Sequence, residues 1–282
     1  MMYIPDEVID RLLAEDVPYI DLTTWALGIG ERTGEIVYFT RESAVLCGTE
    51  EALRIMERLH IEVDLSLPSG SEIKADEVFL RARGRAADLH MAWKVCQNIF
   101  DHCSAIATKT RQMTKLARAV NPRITIVTTR KGFPGTKALS IKAVMVGGAF
   151  PHRLGLSETV LVFQQHMHFM GGLDGFIASV PDIKQHVCEK KLIVEARSVE
   201  ESIKLCRAGV DGLQFDKLSA DVLGAAVPQL KAINPHLVLL AAGGITEKNV
   251  AEYAQTGVDA LVTTSLYNAK PIDIGVKITA LA

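Results

Sequence analysis

What the chain lacks narrows its class before any motif is read. Its five cysteines (Cys47, Cys96, Cys103, Cys188 and Cys206) show no CxxC spacing. That argues against a disulfide framework or a structural zinc site, and for reduced thiols in a cytoplasmic protein. No apolar run approaches the roughly 20 residues a membrane-spanning helix requires, so no membrane partner is expected. The first residues, MMYIPDEVIDRLLAED, are acidic and amphipathic and lack the apolar region of a secretion signal. Net charge is only −2, too little asymmetry for a general polyanion surface, so no nucleic-acid partner is expected. No low-complexity segment or flexible linker divides the chain. What remains is an ordinary globular composition, 48% hydrophobic and 23% charged over 282 residues, enough for one large or two moderate domains.

The first part mixes elements without a βα rhythm. Pro5 to Leu13 carries an amphipathic helix signal, and Glu35 to Gly48 alternates as paired strands would. Glu50 to Val63 returns to helical spacing with acids in its first turn. EVFLRARGR reads as a strand, and a proline-free helical pattern runs from Ala86 to about Asn121. This predicts an α+β N-terminal domain. After Asn121-Pro122 strands and helices alternate: ITIVTT, TVLVF, LIVEA, GLQFD, LVLLAAGG and ALVTTS, each followed by a helical or glycine-containing segment. Ser198 and Glu201 match a capping box with Gly209 as the stop, and Pro228 is expected to kink its helix. About six βα units suffice to curl into a barrel of parallel strands.

In βα barrels the reacting groups sit where strands end. Those positions hold Arg130-Lys131, Gln164 to His168, Glu195, Asp216, Gly243-Gly244 and Thr264-Ser265. Arg130 and Lys131 follow a β-branched run suited to a strand buried on both faces, where two cations need an anion to meet them. Alone, an Arg-Lys pair is usually a solvated loop, a Gly-Gly usually a turn, and a strand-end acid often a helix cap. Together on one rim they point to a phosphorylated substrate. Gly243-Gly244 leading into a helix near Thr246 would present N–H groups and a helix dipole to an anion, and Glu195 with Asp216 could hold Mg²⁺. His152-Arg153 could clamp a carboxylate. His166-x-His168 could be a metal pair but has no third ligand nearby in sequence.

The segments TTRKGFPG, GGAFPHRLGL, VEARSVEES, LQFD and AAGGIT, with DLTT and SAIAT earlier, resemble in order the motifs of quinolinate phosphoribosyltransferase, a type II phosphoribosyltransferase. RKGFPGTKALSIKAVM and PHRLGLSETVLVF are closer to the ModD subgroup of pyrophosphorylases associated with molybdenum-transport operons. The resemblance implies an α/β chain: an N-terminal α/β sandwich domain over residues 1–110 and an open six-stranded α/β barrel over 111–269, with the tail from about 270 to 282 packing back on the first domain. It implies a pentosyltransferase, quinolinate-like and related to NAD biosynthesis, using phosphoribosyl pyrophosphate, a small aromatic acid and Mg²⁺, in a homodimer with shared sites. Carried over by position, Arg130, His152 and Arg153 contact the acid, and Lys131 the reacting centre. Glu195 and Asp216 lie near the ribose and metal, and Gly243, Gly244, Thr264 and Ser265 hold the 5′-phosphate. Lys94 stands for an arginine reaching into the neighbouring subunit's site. The departures are specific. A Lys-Asp-Asn-His run is Phe163-Gln164-Gln165-His166, a Glu-Ser-Ser is Leu240-Ala241-Ala242, a glycine is Thr264 and a histidine is Asn268. Phe163 and His166 thus suit a less charged, more apolar acceptor. Two rivals remain from sequence: a true quinolinate enzyme releasing CO₂, and a non-catalytic accessory protein in molybdate handling.

Overall fold

Alternation shapes the first strands. Ile36, Tyr38 and Thr40 are buried while their neighbours are not, because a pleated strand puts every second side chain on the core face. In the computed structural model, which describes residues 2–281, the strands are β1 (Thr33–Thr40), β2 (Ala44–Val45), β3 (Glu62–Ser66), β4 (Glu72–Ile73), β5 (Val78–Arg85), β6 (Thr125–Thr128), β7 (Phe150–Pro151), β8 (Val160–Val162), β9 (Leu192–Ala196), β10 (Gly212–Asp216), β11 (Val238–Ala242), β12 (Ala260–Thr263) and β13 (Ile274–Ala280). They fall in two units. One comprises Met1–Arg111, Phe133–Gly148 and Tyr267–Ala282; the other comprises Gln112–Gly132 and Ala149–Leu266.

The first unit carries an antiparallel sheet ordered β13-β1-β5-β3 and a small β2-β4 ladder. The run from Glu35 to Gly48 therefore does not pair with itself. β1 pairs with β5 and with the tail strand β13, and β2 pairs with β4. Helix Ala86–Val120 buries Leu89, Ala92, Cys96, Ile99 and Cys103, a three-four spacing that gives it one apolar stripe. Phe100 on that helix meets Tyr38 and Phe79 edge-on, with ring centroids 5.4 and 4.9 Å away. Helix Thr49–Arg58 and helix Lys137–Gly147 are joined by an ion triad in which Lys142 and Glu51 are buried and Glu50 is part-buried. Lys142 Nζ lies 2.5 Å from Glu50 Oε2 and 2.5 Å from Glu51 Oε2.

The second unit is a parallel sheet ordered β7-β6-β12-β11-β10-β9-β8. β7 and β8 are its open edges, so the six expected strands are present and a two-residue seventh extends one side. Val127, Leu161, Ile193, Leu240, Ala242, Ala260 and Val262 pack together on one face, with Phe163 against them. Each of the valine, leucine and isoleucine side chains among them is worth about 1.5–3 kcal/mol when fully buried. The segment after β8 is not irregular: it forms helices Gln164–Met167 and Gly172–His186. Ser198 caps its helix by accepting the Glu201 N–H at 3.1 Å, but only half of the expected box forms. The Glu201 carboxylate instead takes the Arg197 N–H and the Gln164 amide.

The triad sets a pH dependence. Burial pushes Glu50 up, but hydrogen bonds from Lys142 and Ser69 outweigh it and leave the carboxyl at about 2. A depressed carboxyl contributes stability above its unfolded pKa, and that contribution is lost as pH falls from about 4.5 towards 2. Lys142→Met leaves two carboxylates without their cation. It should cost roughly 3–5 kcal/mol in equilibrium urea unfolding at pH 7, and the acid loss should disappear in the variant. An unfolding midpoint at pH 7 matching the parent would refute a stabilising triad.

Candidate active site

Register decides which strand-end residues meet. In the parallel sheet Glu195, Gln214, Leu240, Ala260 and Thr125 are successive Cα partners. Two residues towards the C-terminal edge the partners are Asp216, Ala242, Val262 and Val127. Leu240, Ala242, Ala260 and Val262 belong to the apolar face, so the period of two puts Glu195, Gln214 and Asp216 on that same face at its rim. Glu195 is 9% exposed and hydrogen-bonds Gln214. Burial and then the Asp216 charge push its carboxyl above the ordinary value, opposed by Arg197, Gln214 and Lys131. Two acids and two cations, Arg197 and Lys131, therefore share an electrostatic neighbourhood. Gln214, buried at 7%, was missed in the sequence reading. Its signal was an amide inside GLQFD, two residues before Asp216 and hence on the same face.

The cationic loops are tied to the same rim. Thr129 N–H donates to the Thr263 carbonyl at 3.1 Å, and the Thr129 and Thr264 hydroxyls are 2.8 Å apart. Lys131 N–H donates to Thr129 Oγ1 at 3.2 Å, and His152 N–H to the Thr128 carbonyl at 2.9 Å. Arg130 and Lys131 are exposed. Burial and then the Arg130 charge lower the Arg153 pKa, with Glu158 opposing. Burial and then Arg153 lower that of His152, so the imidazole is neutral at pH 7 and can donate or accept without adding charge. Arg130 and Arg153 thus repel one another beside a neutral His152, an arrangement that an anion would relieve.

Phe163 N–H donates to His166 Nδ1 at 2.9 Å, which leaves the proton of a neutral imidazole on Nε2. The two rings stack with centroids 5.8 Å apart and a 27° interplanar angle. Since Nδ1 is engaged with the chain's own backbone, a His166–His168 metal pair is disfavoured. Among the described residues no group of three or more His, Cys, Asp or Glu side chains is placed to hold a metal ion.

Gly243 and Gly244 adopt φ of +91° and +75°, a left-handed region where a side chain is strained. A Cβ on Gly243 would meet Lys217 Cγ at 2.5 Å and Asp216 Oδ1 at 3.0 Å, whereas one on Gly244 would meet nothing within 4 Å. The expectation that this turn runs straight into a helix fails. The helix is Val250–Ala254, and the Thr246 N–H is taken by Asn249 Oδ1 at 2.8 Å. Any anion must therefore be held by the turn itself. Thr263, buried and missed from sequence, donates to the Ile245 carbonyl at 2.7 Å and accepts the Ser265 N–H at 3.0 Å, tying the Gly243-Gly244 turn to the Thr264-Ser265 turn. Lys94 belongs to the other unit, where its Nζ bonds Gln97 Oε1 at 3.0 Å and lies 4.9 Å from the Trp93 ring centroid.

A parallel α/β sheet with paired carboxylates, a basic cluster and two small-residue turns at its C-terminal rim belongs to the barrel enzymes that act on phosphorylated ligands. Comparison with known proteins fixes the family. The quinolinate phosphoribosyl transferase C-terminal domain matches residues 106–277, and the N-terminal domain matches residues 21–104. The chain belongs to the quinolinate phosphoribosyltransferase family and is a phosphoribosyltransferase of that family. Among its relatives, ModD of Escherichia coli O157:H7, named as a pyrophosphorylase, is 34% identical over 282 residues, covering 100% of this chain and 99% of that one. ModD of Rhodobacter capsulatus is 38% identical over 258 residues, 91% of this chain and 98% of that one. A carboxylating nicotinate-nucleotide pyrophosphorylase assignment in Methanothermobacter thermautotrophicus goes with 31% identity over 284 residues, 98% and 99% of the two chains. The nicotinate-nucleotide pyrophosphorylase structure from Francisella tularensis superposes with a TM-score of 0.87 at 23% identity, covering 98% of each chain, and shows the same fold.

Because its pKa is raised, Glu195 in its ionised form weakens the fold relative to the unfolded chain. That loss grows as pH rises from about 4.5 through the raised value and persists above it. Glu195→Gln should therefore unfold at the same temperature as the parent or higher at pH 7.5, while transferase activity falls about a hundredfold or more. A clear drop in melting temperature would contradict this placement of the charge.

Proposed function

We propose that the chain transfers ribose 5-phosphate from phosphoribosyl pyrophosphate to the ring nitrogen of an aromatic acid, and that this acceptor carries less charge than quinolinate. The observation that carries the first half is the grouping of Glu195, Asp216 and Lys131 on the rim that also holds the Gly243-Gly244 turn. The bond from the ribose anomeric carbon to pyrophosphate breaks as the acceptor nitrogen supplies the electron pair for the new one. Lys131 stabilises the departing pyrophosphate, and Glu195 and Asp216 face the positive charge that develops on the ribose. These two carboxylates also fit Mg²⁺, which takes few protein oxygens and completes its shell from phosphates and water. Bound there, it would neutralise pyrophosphate charge.

On the acceptor side, Arg130, His152 and Arg153 receive a carboxylate. Phe163 offers an aromatic face where the family pattern has a lysine, and its ring is backed by the apolar sheet face and His166. One cation fewer and one ring more favour a monoanionic aromatic. We further read the protein as a homodimer in which Lys94 serves the neighbouring subunit, a reading supported by family resemblance. A cytoplasmic setting is supported by five free cysteines; no helix among the described residues is long and apolar enough to cross a membrane.

The test is pyrophosphate release from phosphoribosyl pyrophosphate and Mg²⁺ with quinolinate, nicotinate and other aromatic nitrogen acids. Release should be fastest with a monocarboxylate, and Lys131→Ala should lower kcat by about a hundredfold or more. Preference for quinolinate, together with rescue of a strain lacking its own quinolinate enzyme, would overturn the acceptor reading. Normal turnover by Lys131→Ala would overturn the mechanism.

A further inference from the structure

Lys217 holds an unusual backbone conformation beside the rim. Its φ is +60°, one of three positive values at non-glycine residues among the described residues, with His60 and Asp76. A lysine gains nothing locally from that region, which asparagine and glycine tolerate far better. The conformation is held in place: Lys217 N–H donates to the Ala242 carbonyl at 2.8 Å, locking the residue after β10 to the end of β11. Strain of this kind persists where the surroundings over-determine it and often marks a functional position.

The side chain leaves the backbone alongside the phosphate-type turn. A Cβ on Gly243 would meet Lys217 Cγ at 2.5 Å and Lys217 N at 2.9 Å, so the lysine stem runs against Gly243. The residue is exposed. The residues of the two turns beside it, Gly243-Gly244 and Thr264-Ser265, are themselves neutral, with backbone N–H groups and the Thr264 and Ser265 hydroxyls as donors. Asp216 adds the wrong sign: its Oδ1 lies 3.0 Å from that same built position. A phosphate monoester carries about −1.5 to −2 charges near neutral pH. Held at this turn, it would face a carboxylate with no balancing charge unless a cation accompanied it.

From this geometry we infer that Lys217 is a phosphate-contacting residue, its ammonium closing over the Gly243-Gly244 turn onto the 5′-phosphate of the phosphoribosyl donor. The inference rests on the transferase reading and deepens it, adding a cation to the donor half of the site. The left-handed backbone sends the lysine stem across Gly243, and the Ala242 hydrogen bond holds it there.

The experiment compares the full-length protein with Lys217→Asn, which suits the backbone and removes the charge, and with Lys217→Arg, which keeps the charge. Ribose 5-phosphate and inorganic pyrophosphate serve as separate calorimetric probes, alongside KM and kcat for phosphoribosyl pyrophosphate. Lys217→Asn should weaken ribose 5-phosphate binding and raise that KM by about ten- to a hundredfold, with kcat nearly unchanged and a melting temperature no lower than the parent's. Lys217→Arg should stay within a few-fold of the parent, and pyrophosphate affinity should be unmoved in both. Parent-like ribose 5-phosphate binding by Lys217→Asn overturns the inference while leaving the transferase reading intact. So does a loss confined to pyrophosphate. If the parent protein binds neither probe nor the donor, the transferase reading itself falls and takes this inference with it.

Discussion

Parallel strands in register give the sheet one rule: every second residue faces the same side. The rest of the site depends on it. Leu240 and Ala242 face the apolar interior, so their register partners Gln214 and Asp216 must face it too, and Glu195 beside Gln214 likewise. Those polar groups are tolerated on an otherwise apolar face because they occupy its last rows, where loops and a ligand can reach them. A shift of one residue in any strand would send its polar end to the helix-covered side and an apolar residue to the rim.

Electrostatics then sorts the rim. Glu195 and Asp216 repel each other, and Arg130 and Arg153 do the same, so neither group is satisfied by itself. The acids moderate their repulsion through Gln214, Arg197 and Lys131, while in the basic cluster Glu158 opposes the charge repulsion on Arg153. Unrelieved like charges cost stability, and such arrangements are characteristic of sites that wait for a ligand. The largely buried triad of Lys142, Glu50 and Glu51 is the opposite case. There the charges close on one another at 2.5 Å, and the group reads as structural.

How much of this the sequence carried depends on how local the cause is. The parallel strands were legible because LIVEA and GLQFD are β-branched or aromatic runs ended by helix signals, and Glu195 and Asp216 were legible as strand-end acids. Gln214 went unnoticed because nothing in a single strand says that its partner is a carboxylate; that needs the register. The register of β1 with β13 carries no local mark either: Thr40 and Ile274 are brought together by the fold, and the tail's packing on the first domain is expected from the family resemblance alone. The helix expected after Gly244 starts at Val250 because the Asn249 side chain folds back to take the Thr246 N–H, a competition between side chain and backbone that composition does not reveal. The two-residue β7 is too short for any periodicity to announce.

The claim on which everything else stands is that this rim is a phosphoribosyl pyrophosphate site completed by a divalent cation. Isothermal titration of phosphoribosyl pyrophosphate into the protein, with and without Mg²⁺ at matched ionic strength, addresses it directly. The account predicts saturable binding of one donor per chain, strengthened by Mg²⁺ and greatly weakened in an Asp216→Asn protein of unchanged melting temperature. Absence of binding in the parent, or binding indifferent to both Mg²⁺ and Asp216, would contradict it.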